Sequence, residues 1–360
     1  MSDTIAAQSE SPFMPELDLA WMRRRGAWGQ RARPGKQGLT LADIQVGSYA
    51  NVPLTSDNQT GRPRGAASRS DAYRVAGYQL RSKEDVWLDN AGWLYEEALQ
   101  RQWSSATDVP WDSIKPLADD IEQAQCQLAT FFTEVEFVAG DVPARWIART
   151  SSDYYEPRLL LLAQVNDEAR HMDVFRKRAL ANGGGLMQRT AMAGGIVGGI
   201  DLAQDFNEMS CRLHLSGEGA VLTMFRMGEL MAYNDAEKAM YRLCAQDEAR
   251  HVAFGVMHMR YLSEAHTDRR EEIHCYLDES EAGLLTNSSQ NPAVQGPSGE
   301  ALAVLLGGGK DKVDEGMKKL FAIRRRQVVE YMKRLNAAGF GERFENGRAN
   351  PNLVALLHAA

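Results

Sequence analysis

The sequence predicts an all-α protein with a four-helix bundle at its centre. From about residue 83 to 280, apolar residues recur at three- and four-residue spacing, which is typical of amphipathic helices, and strand-like alternation is almost absent. The pentapeptide Asp-Glu-Ala-Arg-His occurs twice in this region, at 167–171 and at 247–251. Both copies lie in long helical segments, so two of the bundle helices are expected to carry matching charged groups.

The composition restricts the class of protein. With 360 residues, 44% of them hydrophobic, the chain is long enough to bury a large core. Its net charge of -7 argues against nucleic acid as a partner. The four cysteines lack CxxC or disulfide-like spacing, which indicates reduced thiols, and no apolar run is long enough to cross a bilayer. Because the N-terminus also lacks signal-peptide features, we expect a cytoplasmic protein without a membrane partner.

Composition also divides the chain into four segments. Residues 1–82 are rich in Arg, Gly, Pro and Ser and are predicted to form an irregular basic arm. Residues 83–285 are predicted to form the helical domain. Residues 286–310 combine Asn, Ser, Gly and Pro and are predicted to be a loop or hinge. Residues 311–360 are predicted to contain a charged C-terminal helix, which ends near residue 336, and a tail.

The two pentapeptides carry side chains that bind metals. In Glu168-x-x-His171 and Glu248-x-x-His251, the two side chains are three residues apart, so they lie on one helical face and can point at one spot. Carboxylate and imidazole together suit iron or manganese. Both motifs interrupt apolar stripes, and a charge that is buried needs a partner or a metal ion. The repeat therefore predicts a buried metal centre.

A third Glu-x-x-His motif allows a comparison. Glu271 and His274 have the same spacing, but they lie in the strongly charged stretch DRREEIH and have no counterpart elsewhere in the chain. We therefore interpret this motif as solvated surface and not as part of a metal centre.

A carboxylate-bridged site in a four-helix bundle also needs one glutamate from each of the two other helices. In an antiparallel hairpin, this glutamate lies level with the Glu-x-x-His motif when the turn falls midway between them. For Glu218 and Glu248 the midpoint is near residue 233, where Asn234 and Glu237 match a capping box. Glu218 is therefore the predicted partner in the second hairpin.

The first hairpin leaves two alternatives open. Glu136 and Glu134 both place the midpoint to Glu168 inside the polar stretch RTSSDYYEP. The two side chains point to different helical faces, so only one of them is expected to be a direct ligand. Glu136 is favoured because the small residues Ala139 and Gly140 follow one turn later and leave room beside a metal centre.

The repeated segments resemble the ligand helices of the bacterial di-iron monooxygenase hydroxylases that act on methane, toluene and phenol. More broadly, the chain resembles the ferritin-like di-iron carboxylate oxygenases, which include the phenylacetyl-CoA epoxidase and the arylamine N-oxygenases. The resemblance covers about residues 90–280 and is carried by the paired Asp-Glu-x-Arg-His motifs. It implies a ferritin-like four-helix bundle with extra helices at both ends.

The resemblance also implies roles for individual residues. Asp167 and Asp247 would accept hydrogen bonds from a ligand histidine, either on the same helix or on the partner hairpin, and Arg170 and Arg250 would neutralise buried carboxylates. The ligands of two iron ions would be Glu136, Glu168, His171, Glu218, Glu248 and His251.

Some positions depart from the pattern of this family. Leu222 stands where the hydroxylases have a threonine after the third-helix glutamate, and Thr223 is one step away, which puts proton delivery in question. Cys244 stands where the arylamine N-oxygenases have an extra histidine. His214, one turn before Glu218, is either a seventh ligand or a histidine buried inside the bundle.

Three functions are compatible with these residues. The first is an O2-dependent non-haem di-iron oxygenase that inserts oxygen into a small organic substrate by hydroxylation, epoxidation or N-oxidation. The second is a ferroxidase or iron-binding bundle. The third is a radical-generating subunit like that of ribonucleotide reductase, which needs a tyrosine near the metals. We expect the tyrosines at 154, 155, 233 and 241 near the hairpin turns instead, and interpret the Trp and Tyr residues of 87–111 as packing.

The reaction of such an oxygenase consumes two electrons per turnover. The chain has no flavin or nicotinamide fingerprint and no cysteine pattern for an iron–sulfur cluster. An external reductase or ferredoxin is therefore expected to supply the electrons. The basic segment 23–36 either docks such an acidic carrier or buttresses a homodimer.

Overall fold

The fold consists of helices connected by short turns and a long N-terminal arm. The computed structural model describes residues 17, 19–23, 28–74, 77–189, 196–286 and 292–358. Within these ranges it contains isolated β-bridges but no strand, so the all-α prediction is confirmed. The α-helices are α1 (Ala91–Gln100), α2 (Asp119–Ile147), α3 (Tyr155–Ala181), α4 (Ile196–Asp201), α5 (Phe206–Ser210), α6 (Glu218–Met231), α7 (Asp235–Ala265), α8 (Arg270–Thr286), α9 (Pro292–Gly307), α10 (Val313–Ala337), α11 (Glu342–Glu345) and α12 (Pro351–His358).

Two helical hairpins make up the four-helix bundle. One consists of α2 and α3. The other consists of α7 and a continuous helix in which the π-helix Cys211–Gly217 joins α5 to α6. The turns, residues 148–154 and 232–234, include both midpoints that the glutamate spacings predict. Asn234 caps α7 by accepting a hydrogen bond from the Glu237 N–H (2.9 Å). The Glu237 carboxylate accepts from Tyr233 N–H, one residue earlier than in a regular capping box.

A charged layer crosses the bundle between two apolar clusters. On the side of the 232–234 turn, the core includes Phe132 of α2 and Phe225 of α6. On the side of the 148–154 turn, it includes Leu161 of α3 and Phe254 of α7. Each bundle helix passes from one apolar cluster through the charged layer into the other. Because the two clusters lie on either side of the charged layer, they keep water away from it. The burial of each large apolar side chain contributes about 1.5–3 kcal/mol to the stability of the fold.

The α9–α10 hairpin packs on the outside of the bundle, against α2 and α6. The prediction of a loop over 286–310 is therefore wrong for α9, whereas residues 287–291 lie outside the described residues. The helix is broken at Gly296, which has φ 59°, and continues from Pro297. A proline is tolerated in a first helical turn, and the apolar run that follows it is buried against α2 and α10. The α10 helix covers the segment for which the sequence predicts a charged C-terminal helix.

The described part of the N-terminal arm contains no α-helix and lies against the 148–154 turn. The Ser56 hydroxyl donates to the Asp153 carboxylate (2.7 Å), and Arg64 forms a largely buried ion pair with Glu156. These contacts anchor the later part of the arm. Its earlier part, in contrast, exposes apolar residues of 17–23 to solvent.

The helices in the described ranges do not reach the length and apolarity that a membrane crossing requires. The four cysteines are all free; three are buried and Cys275 is exposed.

Candidate metal centre

Glutamates from all four bundle helices meet in the charged layer, and each of them is at most 2% exposed. Glu136 comes from α2, Glu168 from α3, Glu218 from the start of α6 and Glu248 from α7. Two groups of side chains in the described residues have ligand-type atoms that all lie within 4.8 Å of one another. The groups are Glu136, Glu168, His171 and Glu248, and Glu168, Glu218, Glu248 and His251.

Glu168 and Glu248 belong to both groups and occupy the centre of the layer. His171 Nδ1 lies 3.0 Å from one oxygen of Glu168 and 3.3 Å from one oxygen of Glu248. His251 Nδ1 lies 3.0 Å and 3.4 Å from the other oxygens of the same two carboxylates. The two hairpins therefore contribute to the centre in a nearly symmetric way.

Several atoms of this layer are buried without a hydrogen-bond partner among the described residues. They are Glu136 Oε1, Glu168 Oε1, both carboxylate oxygens of Glu248, and His251 Nδ1. Glu168 Oε1 and His251 Nδ1 are 3.0 Å apart, yet the pair lacks the geometry of a hydrogen bond. Buried polar atoms are normally satisfied. Buried carboxylate and imidazole atoms that converge without hydrogen-bond partners are the arrangement that a bound cation would satisfy.

The two aspartates hold the histidines across the hairpins. His171 Nε2 donates to Asp247 (3.3 Å), and His251 Nε2 donates to Asp167 (3.2 Å). Because an ionised carboxylate can only accept, each Nε2 carries a hydrogen, and Nδ1 is the ring atom that faces the glutamates. Each aspartate therefore orients the histidine of the partner hairpin. The sequence had also allowed a bond to the histidine on the same helix.

Arg170 and Arg250 close this layer on its outer side. Arg170 contacts Asp167 and lies 3.0 Å from Asp247, while Arg250 contacts Asp247 and lies 3.1 Å from Asp167. Burial raises the pKa of Asp247, but the hydrogen bond from His171 and the two guanidinium charges lower it below its usual range. The arginines thus neutralise the aspartates and not the glutamates of the centre.

The carboxylates of the metal-free centre differ in protonation. Burial, and then the charges of Glu168 and Glu248, raise the pKa of Glu136 well above its usual value. The same causes raise the pKa of Glu218. Burial also opposes ionisation of Glu248, but contacts with Glu218 and the two histidines lower its pKa. Protons on Glu136 and Glu218 would therefore compete with a metal ion for these carboxylates.

The pKa values of His171 and His251 are raised well above their usual value. Burial lowers both, but the neighbouring acidic groups outweigh it. For His171 these groups include Asp247 and Glu168, and for His251 the main one is Glu168. Protons on the two imidazoles would therefore also compete with a metal ion.

His214 lies in the π-helix and is in neither group of converging ligand atoms in the described residues. Its Nδ1 is 2.9 Å from the Ser210 hydroxyl, and its Nε2 donates to Gln164 Oε1 (3.2 Å). Gln164 in turn donates to Glu218 (3.2 Å). Burial lowers the pKa of His214 well below its usual value, so the ring is neutral. The structure places His214 two hydrogen bonds from Glu218.

Gln164 is a site residue that the sequence analysis missed. It lies one turn before Glu168 on α3, and it is 2% exposed. Residues four apart share a helical face, so this spacing is the signal that could have identified it. Its amide orients the Glu218 carboxylate from the opposite hairpin.

The π-helix also depends on α10. Arg334 Nε donates to the carbonyl of Leu215 (2.9 Å), and its Nη1 donates to that of Gly219 (3.3 Å). A π-turn disturbs the regular helical bonding, and such turns often occur at functional sites. A side chain at position 219 would overlap the Arg334 guanidinium. Gly219, next to Glu218, therefore gives the arginine access to these carbonyls.

Glu136 and Glu134 point to different sides of α2. Glu136 is 1% exposed and faces the centre. The Glu134 side chain lies on the outer side, 3.4 Å from Arg189. A Cβ atom at Gly140 would lie 3.4 Å from Glu168 Cβ, so the small residue does leave room beside the centre.

The remaining sequence candidates lie outside both groups of ligand atoms. The Thr223 hydroxyl is buried and donates to the carbonyl of Gly219 (3.2 Å). Leu222 is buried in the apolar cluster beside the charged layer. Cys244 is also buried there, and its burial raises the pKa of its thiol to about 11. The thiol is therefore protonated at neutral pH.

The third Glu-x-x-His motif divides into an exposed and a buried half. Glu271 is exposed and pairs with Arg348 (2.8 Å). His274 is only 7% exposed, its Nδ1 accepts from Arg343 (3.1 Å), and its ring lies against Phe340. The interpretation as solvated surface is therefore wrong for His274, because the inner face of α8 is covered by the C-terminal helices.

Comparisons with known proteins identify similar folds. No protein-family model and no curated protein sequence matches the chain. A variant of an R2-like ligand-binding oxidase with an anaerobically reconstituted Mn/Fe cofactor superposes with a TM-score of 0.52 at 17% identity, covering 68% of this chain and 92% of that chain. A second variant, reconstituted aerobically, gives 0.52 at 16%, covering 70% and 94%. The chain has the ferritin-like fold.

Trp103 connects the charged layer to its surroundings. The indole Nε1 donates to Asp247 (2.7 Å), and the ring stacks on His171 at a centroid distance of 6.3 Å. The Arg170 guanidinium lies 5.3 Å from the same ring. Trp103 packs in the apolar cluster beside the layer, as expected, and in addition it binds the carboxylate that orients His171.

Tyr241 also departs from its predicted place. The other three tyrosines lie in or beside the two turns, as expected, but Tyr241 is 5% exposed inside the bundle. It lies two turns before Glu248 on α7. Its ring is 6.1 Å from that of Phe225, which is 6.3 Å from the ring of His171. One aromatic side chain thus separates Tyr241 from the centre.

Proposed function

We propose that the charged layer binds two metal ions and that the chain is an O2-dependent non-haem di-iron oxygenase. The observation that carries this proposal is the group of buried, converging carboxylate and imidazole atoms that have no hydrogen-bond partner in the described part of the chain. The carboxylate and imidazole atoms present are those that iron and manganese bind. The ferritin-like fold supports the proposal, since its bundle core is a place where such sites are built.

The proposed ligand set follows from the two groups of converging atoms. Glu168 and Glu248 belong to both groups, so each would help to hold both ions. The neutral Nδ1 of each histidine would face one ion, with Nε2–H held by an aspartate. The complete set is Glu136, Glu168, His171, Glu218, Glu248 and His251.

The bound metals would supply the redox chemistry that amino-acid side chains lack. The chain itself would position the ligand side chains and keep water out of the site. The apolar clusters on both sides of the layer exclude water, and Asp167 and Asp247 fix the orientation of the histidines. The reaction would insert oxygen into a small organic substrate by hydroxylation, epoxidation or N-oxidation. Because the R2-like oxidases described above carry Mn/Fe, a manganese–iron pair is the alternative to two irons.

An external reductase or ferredoxin would deliver the electrons. Two places on the chain suit this role. Arg31, Arg33 and Lys36 of the basic segment 23–36 are exposed, and residues 24–27 of that segment lie outside the described residues. Trp103 offers an electron path into the centre, because its indole donates a hydrogen bond to Asp247, which also accepts from His171. A homodimer held by the arm is the alternative use of the basic segment.

A radical-generating function, like that of the ribonucleotide reductase subunit, is the second candidate. It is favoured by Tyr241, which is buried and separated from His171 by the ring of Phe225. A ferroxidase or iron-binding bundle is the third, and it would oxidise iron without an organic substrate. The three candidates differ in whether oxygen from O2 enters an organic product and in whether Tyr241 forms a radical.

Metal analysis of the full chain tests the central proposal. After anaerobic reconstitution with ferrous iron, we expect two metal ions per chain, and O2 uptake when the protein is then exposed to air. Glu168→Ala and Glu248→Ala should each lose metal and O2 uptake together. Glu271→Ala is the matched control, since that exposed glutamate pairs only with surface groups. A wild-type chain that remains metal-free after reconstitution contradicts the proposal.

Isotope-labelled O2 separates the three functions. An oxygenase should transfer label to an organic product in the presence of an external reductant. A radical generator should show a tyrosyl signal in electron paramagnetic resonance that disappears in Tyr241→Phe. A ferroxidase should show neither result and should oxidise added iron in many cycles.

A further inference from the structure

The two halves of the charged layer share the same motif, but the glutamates that stand outside the motifs are held differently. Glu218 Oε1 accepts a hydrogen bond from the Gln164 amide (3.2 Å), which reaches across from the opposite hairpin. Glu136 Oε1, in contrast, is buried without a hydrogen-bond partner among the described residues. Within those residues, a neutral donor therefore fixes the direction of the Glu218 carboxylate but not that of Glu136.

One difference between the two copies of the repeat accounts for this asymmetry. Gln164 lies four residues before Glu168 on α3. Cys244 lies four residues before Glu248 on α7, which is the matching position in the second copy. An amide NH2 group carries two good donors, whereas a thiol is a weak donor. The layer is therefore built from two similar motifs with unequal support for the glutamate opposite each of them.

A chain of hydrogen bonds sets the direction of the Gln164 amide. The Ser210 hydroxyl donates to His214 Nδ1 (2.9 Å), and His214 Nε2 donates to Gln164 Oε1 (3.2 Å). Because an amide oxygen can only accept, this bond turns the NH2 group of Gln164 toward Glu218. Ser210, His214 and Gln164 are each at most 2% exposed, so water does not compete for these bonds.

Close packing holds His214 where it can make this bond. A Cβ atom at position 255 would lie 2.4 Å from His214 Cβ, so Gly255 is what allows the π-helix to approach α7 so closely. The ring of His214 lies 4.8 Å from that of Phe254. From the other side, Arg334 donates to two carbonyls of the same region. The histidine and the amide that it directs are therefore fixed by their neighbours in the chain without a metal ion.

We propose that Gln164, directed by His214, is a positioning residue for Glu218 and makes the two metal positions unequal. The position that includes Glu218 would bind its ion more tightly than the position that includes Glu136. The physical reason is that a ligand side chain held in place beforehand loses less freedom when the ion binds. This inference rests on the proposed metal binding, but it does not depend on the oxygenase reaction.

Binding of ferrous iron to the full chain under anaerobic conditions tests the proposal, with affinities measured by competition with a chelator. Wild type should bind two ions in steps of different affinity. Gln164→Leu keeps a buried side chain of similar size and removes the amide. It should weaken the tighter step by about 10-fold or more, as loss of such a ligand-orienting partner does, and change the other step by less than about three-fold.

A positioning role also requires that the effect depend on Glu218. In a Glu218→Ala chain the amide has no carboxylate to orient, so adding Gln164→Leu should change the remaining iron affinity by less than about three-fold. A purely structural role would weaken iron binding equally in both backgrounds. Gln127→Leu is the matched control, because Gln127 is also buried in the bundle but donates to the carbonyl of Gln188 (2.7 Å). It should bind both ions like wild type.

His214→Leu keeps the test decisive if Gln164→Leu does not fold or if Glu218→Ala binds no iron. It removes the donor that directs the amide, so it should weaken the same step, and the double variant should be no weaker than Gln164→Leu alone. Equal affinities of the two ions in wild type, wild-type affinities in the folded variants, or equal losses with and without Glu218 overturn the inference. A wild-type chain that binds no iron contradicts the proposed function instead, so the two failures are distinguishable.

Discussion

Replacing Asp247 by Asn removes one negative charge and one acceptor atom from the layer that holds the histidines. One Asp247 oxygen accepts from Trp103 (2.7 Å), Arg170 (3.0 Å) and His171 (3.3 Å), and the other contacts Arg250. An amide can satisfy only one of these two sides. If its oxygen takes the first position, its NH2 group faces Arg250, and donor meets donor.

The magnitude follows from these contacts. Loss of the Arg250 bond removes one hydrogen bond to a charged group, worth about 1.5–3 kcal/mol, although Arg250 keeps Asp167 at 3.1 Å. The free energy of unfolding should therefore fall by about 2–3 kcal/mol. His171 loses its anionic partner, which makes Nδ1 a weaker base. Loss of such a partner typically lowers metal affinity or activity by about 10–100-fold.

Two measurements check this prediction. Chemical denaturation of the metal-free chain reports the stability change, and competition with a chelator reports the iron affinity. Asp167→Asn should behave similarly, because Asp167 serves His251 in the same way. Asp173→Asn is the control, since Asp173 is on the same helix as Asp167 but pairs with Lys177 at the surface. Wild-type iron affinity in both Asp247→Asn and Asp167→Asn would refute the orienting role.

Other expectations follow from the same geometry. The raised pKa values of Glu136, Glu218 and the two histidines favour protonated side chains in a centre without metal. Iron binding should therefore release protons and should become tighter as pH rises. Calorimetry in buffers of different ionisation enthalpy detects the released protons, and binding heats that do not depend on the buffer would contradict this prediction. Arg334→Met should lower the free energy of unfolding by about 2–5 kcal/mol, because two buried carbonyls lose their donor, whereas Arg326→Met on the exposed face of α10 should change it little. Trp103→Phe should slow turnover with an external reductase but leave O2 uptake by the prereduced protein unchanged; equal turnover would exclude this path. A chain lacking residues 1–36 should lose the salt dependence of its turnover with the reductase if the basic segment docks the carrier, and should instead lose its oligomeric state if the segment holds a dimer.

The sequence alone determined the features that depend on residues close to one another along the chain. The i,i+3 spacing of Glu168 and His171, and of Glu248 and His251, is a property of any helix that contains them. The midpoint argument identified Glu218 because hairpin geometry links the position of a turn to the residues that stand level on either side of it. Helical periodicity, the caps and the repeat therefore predicted the bundle and the six residues that the structure brings together.

Only the tertiary structure decided which partners meet across the bundle. The sequence allowed Asp247 to bond either histidine, and the crossing of the hairpins selects His171, 76 residues away. Trp103 reaches Asp247, and Arg334 reaches the π-helix beside Glu218, from segments whose local patterns are those of ordinary loops and helices. The loop prediction for 286–310 failed for a related reason. Gly296 and Pro297 are turn residues by local propensity, but burial of the following apolar run against the bundle stabilises a helix there, because such packing outweighs propensity.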